Sequence, residues 1–425
     1  MRSVLVLLSV VWANCCFGSE LIQAWEYALS NSSEIQAASE KRNADYEAKA
    51  QSLAHLLPSL RGNTYYQEQP QNNADDSAMQ GWGIELTQAL LNVTKWHQYK
   101  KGTTRSMIAD LELQDHRHQL LTKVTQVYFD TLQSKKDLEL IKKTRESMAA
   151  QVVQTEALYK KGAGTIIDFY DAQSAYEAIC AEEIAIHNKL KIGLGQLSSM
   201  TGFPYRTLQQ GNIVMRAVDV STFEYWKQKV LSGNFALQVK MELVKEADYD
   251  VKAVKSQHLP TIDLNLGYRD NIHKRNVAGS GGVRYSTRGN YIDVRMTVPL
   301  FNGGAMTSQT RQSVASREFL RHEYDNAIEN TLLDMERLFL DVKSSQYQAK
   351  AFTQLCETNN TKLEATRIGL TAGVRTQIDL INAERDYLEA QRKLAEAQYQ
   401  FASSYVTLQI LSGEIELLKI QSIMN

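Results

Sequence analysis

The sequence contains an internal repeat built around two glycine-containing segments. Residues 159–168 read YKKGAGTIID, and residues 370–379 read LTAGVRTQID. When Gly162 is placed over Gly373, an offset of 211 residues, the threonines and aspartates of the two segments coincide. Long helical patterns flank both segments, so each is predicted to be a tight reversal between two helices. The chain is therefore expected to contain two copies of one helical hairpin.

The helices show the rhythm of a coiled coil. Apolar and small residues recur at alternating steps of four and three over residues 120–159, and the second copy keeps this spacing over residues 335–370. Such spacing forms the seam of a coiled coil. A helix over residues 93–160 would be about 100 Å long at 1.5 Å per residue. A helix of that length needs partners along its whole course.

Each half also contains a predicted strand hairpin. In the first half, apolar and polar side chains alternate within residues 81–91, after a less regular strand at 59–66. In the second half, alternation runs over residues 262–268 and 291–298. This period of two predicts strands with one apolar and one polar face. The polar run 67–80 and the glycine-rich segment 270–290 are predicted to be the connecting loops.

Composition and the first residues limit the class of protein. The 425 residues have a formal net charge of −1, so no basic surface for nucleic acid is expected. Residues 1–18 combine Arg2, an apolar run and a small-residue end, which predicts a cleaved secretory signal and a mature chain from Ser19. The apolar run is shorter than the about 20 residues that span a bilayer. A lipid anchor on Cys15 or Cys16 is disfavoured by the residues before them.

The remaining cysteines, Cys180 and Cys356, lie at matching heights of the two repeats. A disulfide between neighbouring helices and two free thiols both remain open at this point.

These features divide the chain into five parts, which are the signal peptide (1–18), a first structural repeat (19–202) with a strand hairpin at about 59–91, a linker or equatorial segment (203–235), a second structural repeat (236–413) with a strand hairpin at about 260–300, and a C-terminal equatorial tail (414–425). The segment 19–57 has a helical pattern, rich in Ala, Glu and Gln, that stops at Pro58.

The four strands restrict how the chain can be accommodated. In an exported chain, strands with one apolar face can lie in a soluble sandwich or in an outer-membrane barrel, and polar hairpin tips favour the barrel. Four strands cannot close a barrel, and an open edge cannot face lipid, so several chains must pool their strands. A dimer would give eight strands and a trimer twelve. Aromatic residues that fit an interfacial belt are Tyr65, Tyr66, Trp82 and Tyr268.

Two motifs resemble a known family. The run VPLFNGG at residues 298–304 resembles the strand-to-helix signature of the TolC-like outer-membrane efflux proteins, and the duplicated Gly-x-x-Thr-x-x-Asp turn resembles their periplasmic tip. The resemblance covers nearly the whole mature chain. It implies a mostly α protein whose homotrimer forms a twelve-stranded transmembrane β-barrel, with four strands per protomer, continued by a long α-helical coiled-coil barrel in the periplasm.

The same resemblance implies a function and partners. The expected protein is a channel-tunnel of a tripartite efflux or type I secretion system, located in the Gram-negative outer membrane and extending into the periplasm. Its expected partners are outer-membrane lipid, a periplasmic adaptor (membrane fusion) protein and an inner-membrane pump, either proton-driven or ABC-type. Drugs, metals and proteins are the cargo classes of the family.

The resemblance also assigns a periplasmic gate to Asp168, Asp171, Arg375, Asp379 and Asn382. Asp379 matches the acidic entrance of the family, Asn382 stands where a second acid is expected, and Arg375 resembles an arginine that ties neighbouring tips together, with Asp168 as its expected partner. Inward aspartates in a threefold assembly would form a ring that favours cations. The alternative role of Asp168 and Asp379 is to cap the return helices.

An adaptor-docking tip is expected at equivalent positions of the two copies, namely Tyr159, Gly162, Thr165, Leu370, Gly373 and Thr376. The family usually has tyrosine where this chain has Leu370, so one closing hydrogen bond is expected to be missing.

Other functional classes fit the sequence less well. It contains no glycine-rich phosphate loop, no HExxH and no GxSxG, so neither an enzyme nor a cofactor is expected. Asp115, His116 and His118 are spaced poorly for a metal site on one helix face. The main rival is a periplasmic coiled-coil scaffold or adaptor of an envelope complex. The alternating strands and the VPLFNGG run argue against that rival.

Overall fold

A computed structural model describes residues 18–69, 77–209, 222–277, 281–417 and 420. The predicted signal peptide, except Gly18, lies outside the described residues, and so do residues 210–221 of the segment 203–235 and most of the tail. Over the described ranges the chain forms, in order, α1 (Gly18–Asn31), α2 (Ser33–Ala54), β1 (Ser59–Gln69), β2 (Ser77–Leu91), α3 (Val93–Lys160), α4 (Ile166–Thr201), α5 (Phe223–Gly233), α6 (Phe235–Ser256), β3 (Thr261–Val277), β4 (Gly281–Thr297), α7 (Ala305–Thr371) and α8 (Gln377–Leu411). None of the helices in these ranges is both long enough and apolar enough to cross a membrane.

The chain forms two compact units. One comprises Met1–Ala37, Gln114–Asn234 and Glu329–Asn425, and contains both helix reversals. The other comprises Ala38–Leu113 and Phe235–Ile328, and contains all four strands.

The first unit has an apolar core at one end and smaller clusters along its helices. The core buries Tyr128 and Phe129 of α3 together with Phe401 and Leu408 of α8. Closer to the reversals, separate clusters form around Ile141, Met148 and Leu363. Most of the predicted seam is buried, which confirms the coiled-coil spacing: Leu120, Val124, Thr131, Ser134, Ile141, Met148 and Thr155 in the first copy and Met335, Val342, Ser345, Ala349 and Leu363 in the second.

The helical pattern over 19–57 forms two helices, α1 and α2, which meet at Ser32. The hydroxyl of Ser32 accepts a hydrogen bond from the backbone N–H of Glu34 (3.2 Å) at the start of α2. The predicted linker or equatorial segment 203–235 contains α5. Its residues Trp226 and Val230, four apart, are buried in the main core.

The four strands of the second unit form one antiparallel sheet in the order β1-β2-β3-β4. The strand register brings Leu60, Leu86, Leu266 and Ile292 side by side in one row of the sheet. Because paired residues of neighbouring strands point to the same side, the predicted apolar alternations fall on one common face. That face is uncovered in the chain: Ile292 is 77% exposed and Leu60 is 70% exposed.

The opposite face of the sheet is polar. Tyr291 donates a hydrogen bond to Glu85 Oε2 (2.8 Å), and Arg269 donates one to the Tyr291 hydroxyl (3.1 Å). The Tyr291 ring lies over Gly267, where an added Cβ would come within 2.5 Å of it. Tyr65 also lies on this face and bonds to Asn271 (2.5 Å), so its predicted place in an aromatic belt on the apolar face is wrong.

The strands are longer than the apolar alternation indicates. β3 continues to Val277 and β4 begins at Gly281, so most of the predicted loop 270–290 is paired strand. In the first hairpin, β1 reaches Gln69 and β2 begins at Ser77. Backbone hydrogen bonds between strands do not require apolar side chains, so the ladder extends beyond the apolar pattern. Residues 70–76 and 278–280, between the paired strands, lie outside the described residues.

Candidate functional site

The first helix reversal follows directly from the end of α3. Gly162 adopts a left-handed conformation with φ of 71°. Its N–H donates to the carbonyl of Tyr159 (2.9 Å), and the N–H of Ala163 donates to the carbonyl of Leu158 (2.9 Å). These two bonds are those of a Schellman motif, which ends a helix at a glycine because glycine adopts positive φ without steric cost.

The second reversal repeats this geometry. Gly373 has a φ of 73°, its N–H donates to the carbonyl of Leu370 (3.1 Å), and the N–H of Val374 donates to the carbonyl of Gly369 (2.9 Å). The repeat found in the sequence therefore extends to single hydrogen bonds.

A capping box starts the return helix at each reversal. In the first copy, the Asp168 N–H donates to Thr165 Oγ1 (3.1 Å) and the Asp168 carboxylate accepts from the Thr165 N–H (3.2 Å). In the second copy, the corresponding bonds between Asp379 and Thr376 are 3.3 and 2.9 Å. The capping role of both aspartates is thus present, and it fixes their carboxylates at the tips.

The Thr376 bonds also act on the charge of Asp379. The backbone N–H and the hydroxyl of Thr376 both donate to its carboxylate, and these bonds lower the pKa of Asp379 below its ordinary value, with a smaller contribution from the nearby Arg375. Hydrogen bonds to the ionised form favour that form. Asp379 is therefore ionised at neutral and mildly acidic pH.

The other predicted gate residues lie around these caps without a closing ion pair. Arg375 has its aliphatic part next to Gly369, and within the described part of the chain it forms no ion pair with Asp168. Asn382 accepts a hydrogen bond from Arg385 (3.2 Å), and Asp171 is half-exposed one turn beyond Asp168. The expected Arg375–Asp168 contact is therefore absent within one chain.

Apolar side chains are exposed at both tips. Ile166 and Ile167 are exposed beside the first reversal, and Val374 and Ile378 beside the second, with Val374 76% exposed. Among the predicted docking residues, Tyr159 is exposed, whereas Leu370 packs against the cluster around Leu363 and Leu380. Each tip is therefore a rigid turn bordered by apolar surface.

Polar contacts between α3 and α8, which the sequence patterns did not predict, join the two hairpins near the tips. Gln377 donates a buried hydrogen bond to Gln151 (2.9 Å). One turn further from the tips on α3 and two turns further on α8, Ser147 donates to Glu384 (2.7 Å), which also accepts from Arg367 (3.1 Å). Gln377 and Glu384 are seven residues apart on α8, and Ser147 and Gln151 are four residues apart on α3. Both spacings are those of a coiled-coil seam, but a seam is recognised in a sequence by its apolar residues, and these residues are polar.

Farther along α8, Arg392 joins three helices. It forms ion pairs with Glu182 of α4 and with Asp137 of α3, the latter at 3.6 Å. Burial raises the pKa of Asp137, and the Arg392 charge opposes that rise. A cavity of about 480 Å³ lies between α3, α4 and α8. Its lining includes the apolar residues Met148, Ile179 and Leu388 and the charged residues Glu182, Arg385, Glu389 and Arg392.

The residues weighed for other chemistry do not form a site. Across the described ranges, no three His, Cys, Asp or Glu side chains are grouped to hold a metal ion. His118 lies 3.1 Å from the carbonyl of Ile410, and burial lowers its pKa. Cys180 and Cys356 are both free thiols, so the disulfide alternative is wrong for this structure.

Comparison with known proteins supports the resemblance seen in the sequence. The sequence model of the outer membrane efflux protein family matches residues 25–203 and 226–414, which correspond to the two repeats. The proteases secretion protein PrtF of Dickeya chrysanthemi is 26% identical over 434 aligned positions, covering 98% of this chain and 93% of that protein. The outer membrane protein TolC of Vibrio cholerae serotype O1 is 25% identical over 413 residues, covering 96% and 93%.

Solved structures show the same fold. The CmeC outer membrane channel of Campylobacter jejuni matches with a TM-score of 0.81 at 14% identity, covering 99% of this chain and 95% of that chain. At that identity the likeness supports the fold alone, which is mostly helical with four antiparallel strands and two repeated halves.

The family match covers most of the chain, the relatives match it almost end to end, and the fold agrees. TolC-like channels generally work with inner-membrane partners. The chain belongs to the outer membrane efflux protein family: it is a TolC-like channel for efflux or secretion, not an enzyme, in the outer membrane and extending into the periplasm.

Proposed function

We propose that three copies of the chain assemble into one channel whose twelve strands form a closed barrel in the outer membrane. The observation that carries this proposal is the four-stranded sheet, which has an exposed apolar face and, among the described residues, unpaired edges at β1 and β4. Neither an uncovered edge nor a polar face can be exposed to lipid. Closing the sheet with copies of itself pairs both edges and turns the Glu85–Arg269–Tyr291 face toward a water-filled lumen.

The periplasmic entrance of this channel is the proposed gate. Asp379, held by its cap, would form a ring of three carboxylates in a threefold assembly, with Asp168 and Asp171 near it and Asn382 one helical turn above. Arg375, which lacks an ion pair with Asp168 inside the chain, would reach Asp168 of a neighbouring subunit and hold the tips closed. Opening then moves the second reversal away from α3, so the Gln151–Gln377 bond must break.

The adaptor-docking surface is proposed at the two tips and at the cavity between α3, α4 and α8. The exposed residues Ile167 and Val374 offer apolar contacts, and the rigid turns at Gly162 and Gly373 hold them in place. The cavity is lined by apolar and charged side chains, which would suit a helical hairpin of an adaptor with apolar and charged residues of its own.

A cysteine at Val374 tests this docking surface. Val374 is exposed, so Val374→Cys keeps the glycine turn intact. After crosslinking in cells and purification from membranes, the product is expected to contain an adaptor and an energised inner-membrane transporter. The control Ile184→Cys is exposed on α4 and away from the tips. Equal crosslinking from both positions, or none from Val374→Cys, would contradict docking at the tip.

We further propose that the cargo is protein and the inner-membrane partner an ABC-type transporter. Support comes from the relative whose name describes secretion of proteases and which matches nearly the whole chain. Deleting the gene for this chain is expected to remove the secreted protein from the culture medium and to leave that protein inside the cell. Loss of dye or drug efflux with unchanged protein secretion would instead favour the second candidate, tripartite efflux with a proton-driven pump.

A further inference from the structure

A pair of basic residues lies at the far end of the apolar face of the sheet. The rows of this face pass from Leu60, Leu86, Leu266 and Ile292 to rows that contain Tyr268, then Trp82, then Tyr66. Trp82 and Tyr268 pack together with ring centroids 5.4 Å apart. The row beyond Tyr66 pairs Lys274 directly with Arg284. Apolar rows, aromatic rows and a basic row thus follow one another on one face.

In the described part of the sheet, this basic pair has no acidic residue paired directly with it. Both side chains are exposed, and no ion pair joins either of them to another described residue. Their row neighbour on β2 is Ala78. The acidic residue of the row, Glu68 on β1, lies two strands away from Lys274 and is hydrogen-bonded to Tyr66 (3.0 Å). Like charges directly opposite each other on neighbouring strands are destabilising, so the pair favours an anion between its two side chains.

The nearest charged row shows the contrast. Two rows closer to the apolar band, Asp270 is paired with Arg288, so this cross-strand pair is electrically balanced. Among the described pairs on this face of the sheet, the Lys274–Arg284 pair alone combines two positive charges. Four residues of strand separate the two rows, on the order of 13 Å.

The position of the row within the sheet indicates which side of the membrane it faces. Helices α2, α3, α6 and α7 adjoin the opposite ends of the strands, and the Lys274–Arg284 row is close to the hairpin ends. Because the helices extend into the periplasm, the hairpin ends face outward. Aromatic rows on the lipid-facing side of a barrel lie at the level of the lipid headgroups.

We propose that Lys274 and Arg284 bind a phosphate group of a phosphorylated lipid in the outer leaflet of the outer membrane. This inference rests on the proposed function, because the face contacts lipid only if the sheet becomes part of a barrel. An ammonium and a guanidinium on adjacent strands supply charge-assisted donors to one phosphate, while the aromatic and apolar rows contact the acyl chains. The bound lipid neutralises the repulsion between the two side chains.

The test measures binding of purified lipopolysaccharide to the detergent-solubilised full-length channel. Lys274→Gln combined with Arg284→Gln is expected to weaken binding at least about tenfold, because two charge-assisted hydrogen bonds to the phosphate are lost. The exchange Lys274→Arg with Arg284→Lys keeps both charges and is expected to bind as the wild type does. Arg295→Gln, on the same strand but the polar face, is the matched control and is expected to leave binding unchanged.

Two further arms identify the source of the phosphate. Chemically dephosphorylated lipopolysaccharide is expected to bind as weakly as the double glutamine variant. Inorganic phosphate alone, at equal phosphate concentration, is expected not to displace the lipid, and full displacement would overturn a lipid site. Equal lipid binding by the double variant and the wild type would also overturn the lipid site.

Assembly is measured on the same samples. If the wild type forms no trimer, the proposed function fails. If the trimer forms and the double variant binds lipid as the wild type does, the lipid site alone is refuted.

Discussion

Asp379 combines a structural and an electrostatic property in one carboxylate. Its oxygen accepts the Thr376 N–H and hydroxyl, which fixes the start of α8, and the same bonds keep the group ionised. Capping and gating are therefore compatible, because the cap holds the charge at a defined place. Two substitutions separate them: one removes the charge and keeps the side-chain shape, and the other removes the hydroxyl and keeps the charge.

We expect Asp379→Asn to reduce the preference of the channel for cations over anions, because three negative charges are lost from the entrance. Thr376→Val removes a capping partner and leaves those charges, so the cation preference is expected to remain while the tip becomes less ordered. Reversal potentials in planar bilayers under a salt gradient measure the preference. A loss of selectivity in Thr376→Val with none in Asp379→Asn would show that cap geometry, and not charge, controls the entrance.

The pH dependence follows from the direction of the Asp379 shift. A lowered pKa means that ionisation is favoured in the folded protein, so the charge is present above the ordinary value of 3.8 and is lost only when pH falls through the lower folded value. The cation preference is therefore expected to be constant between about pH 7 and about pH 5. If the cation preference of the wild type changed between about pH 7 and about pH 5, and that of Asp379→Asn did not, the lowered pKa of Asp379 would be contradicted.

Residue-scale features were predictable from the sequence where they depend on local spacing. A threonine three residues before an aspartate, preceded by glycine, predicts the cap and the turn at both tips. Tyr65 was misplaced because its neighbour Tyr66 is also aromatic, and the side chain that faces Asn271 depends on strand register. The Gln151–Gln377 bond was missed because it joins residues that are far apart in sequence.

At the scale of elements, the sheet is stabilised by close packing on its polar face. Tyr291 of β4 lies over Gly267 of β3 and forms hydrogen bonds with Glu85 and Arg269. The alternating patterns predicted which face is apolar, because apolar residues occupy every second position in three of the strands. They did not predict the strand ends, since the ladder continues through polar residues such as Arg284 and Lys274.

Gly267→Ala is expected to destabilise the sheet. Its new methyl group would lie 2.5 Å from the Tyr291 ring, and overpacking of this kind costs about 1–3 kcal/mol. The expected result is a lower yield of the heat-modifiable assembled form on unheated gels. Gly289→Ala is the control, because nothing lies within 4 Å of its added methyl group. Equal yields for both variants would show that the Tyr291–Gly267 contact is not needed for assembly.

The polar contacts between α3 and α8 have a further consequence for opening. Replacing Gln151 and Gln377 together by leucine exchanges one hydrogen bond, worth about 0.5–1.5 kcal/mol, for two buried apolar side chains, each worth about 1.5–3 kcal/mol. The closed contact would gain at least about 1.5 kcal/mol, which reduces the open fraction at least about tenfold. We therefore expect shorter single-channel open times and less export of the cargo.

The control for that pair is Gln154→Leu, the same substitution at an exposed position of α3. It is expected to leave both open time and export unchanged. If the double variant conducts and exports as the wild type does while remaining folded, α3 and α8 do not separate at this point during opening.

At the scale of the whole molecule, the duplicated sequence explains why one chain supplies two similar hairpins and two strand pairs. The four-stranded sheet of one chain is incomplete in isolation, because the described part of it has an exposed apolar face and two edge strands that need partners. The repeat and the apolar alternation were sufficient to predict this incompleteness. The number of subunits was not derivable from them, because eight and twelve strands both satisfy edge pairing, and twelve came from family resemblance.

Native mass spectrometry of the particle extracted from outer membranes in detergent tests the central claim most directly. Three copies of the chain in one particle, retained without crosslinking, is the predicted result, because lipid requires a closed set of strands and the family resemblance sets that number at twelve. A single chain in the intact particle, or a stable pair, would contradict the twelve-stranded channel.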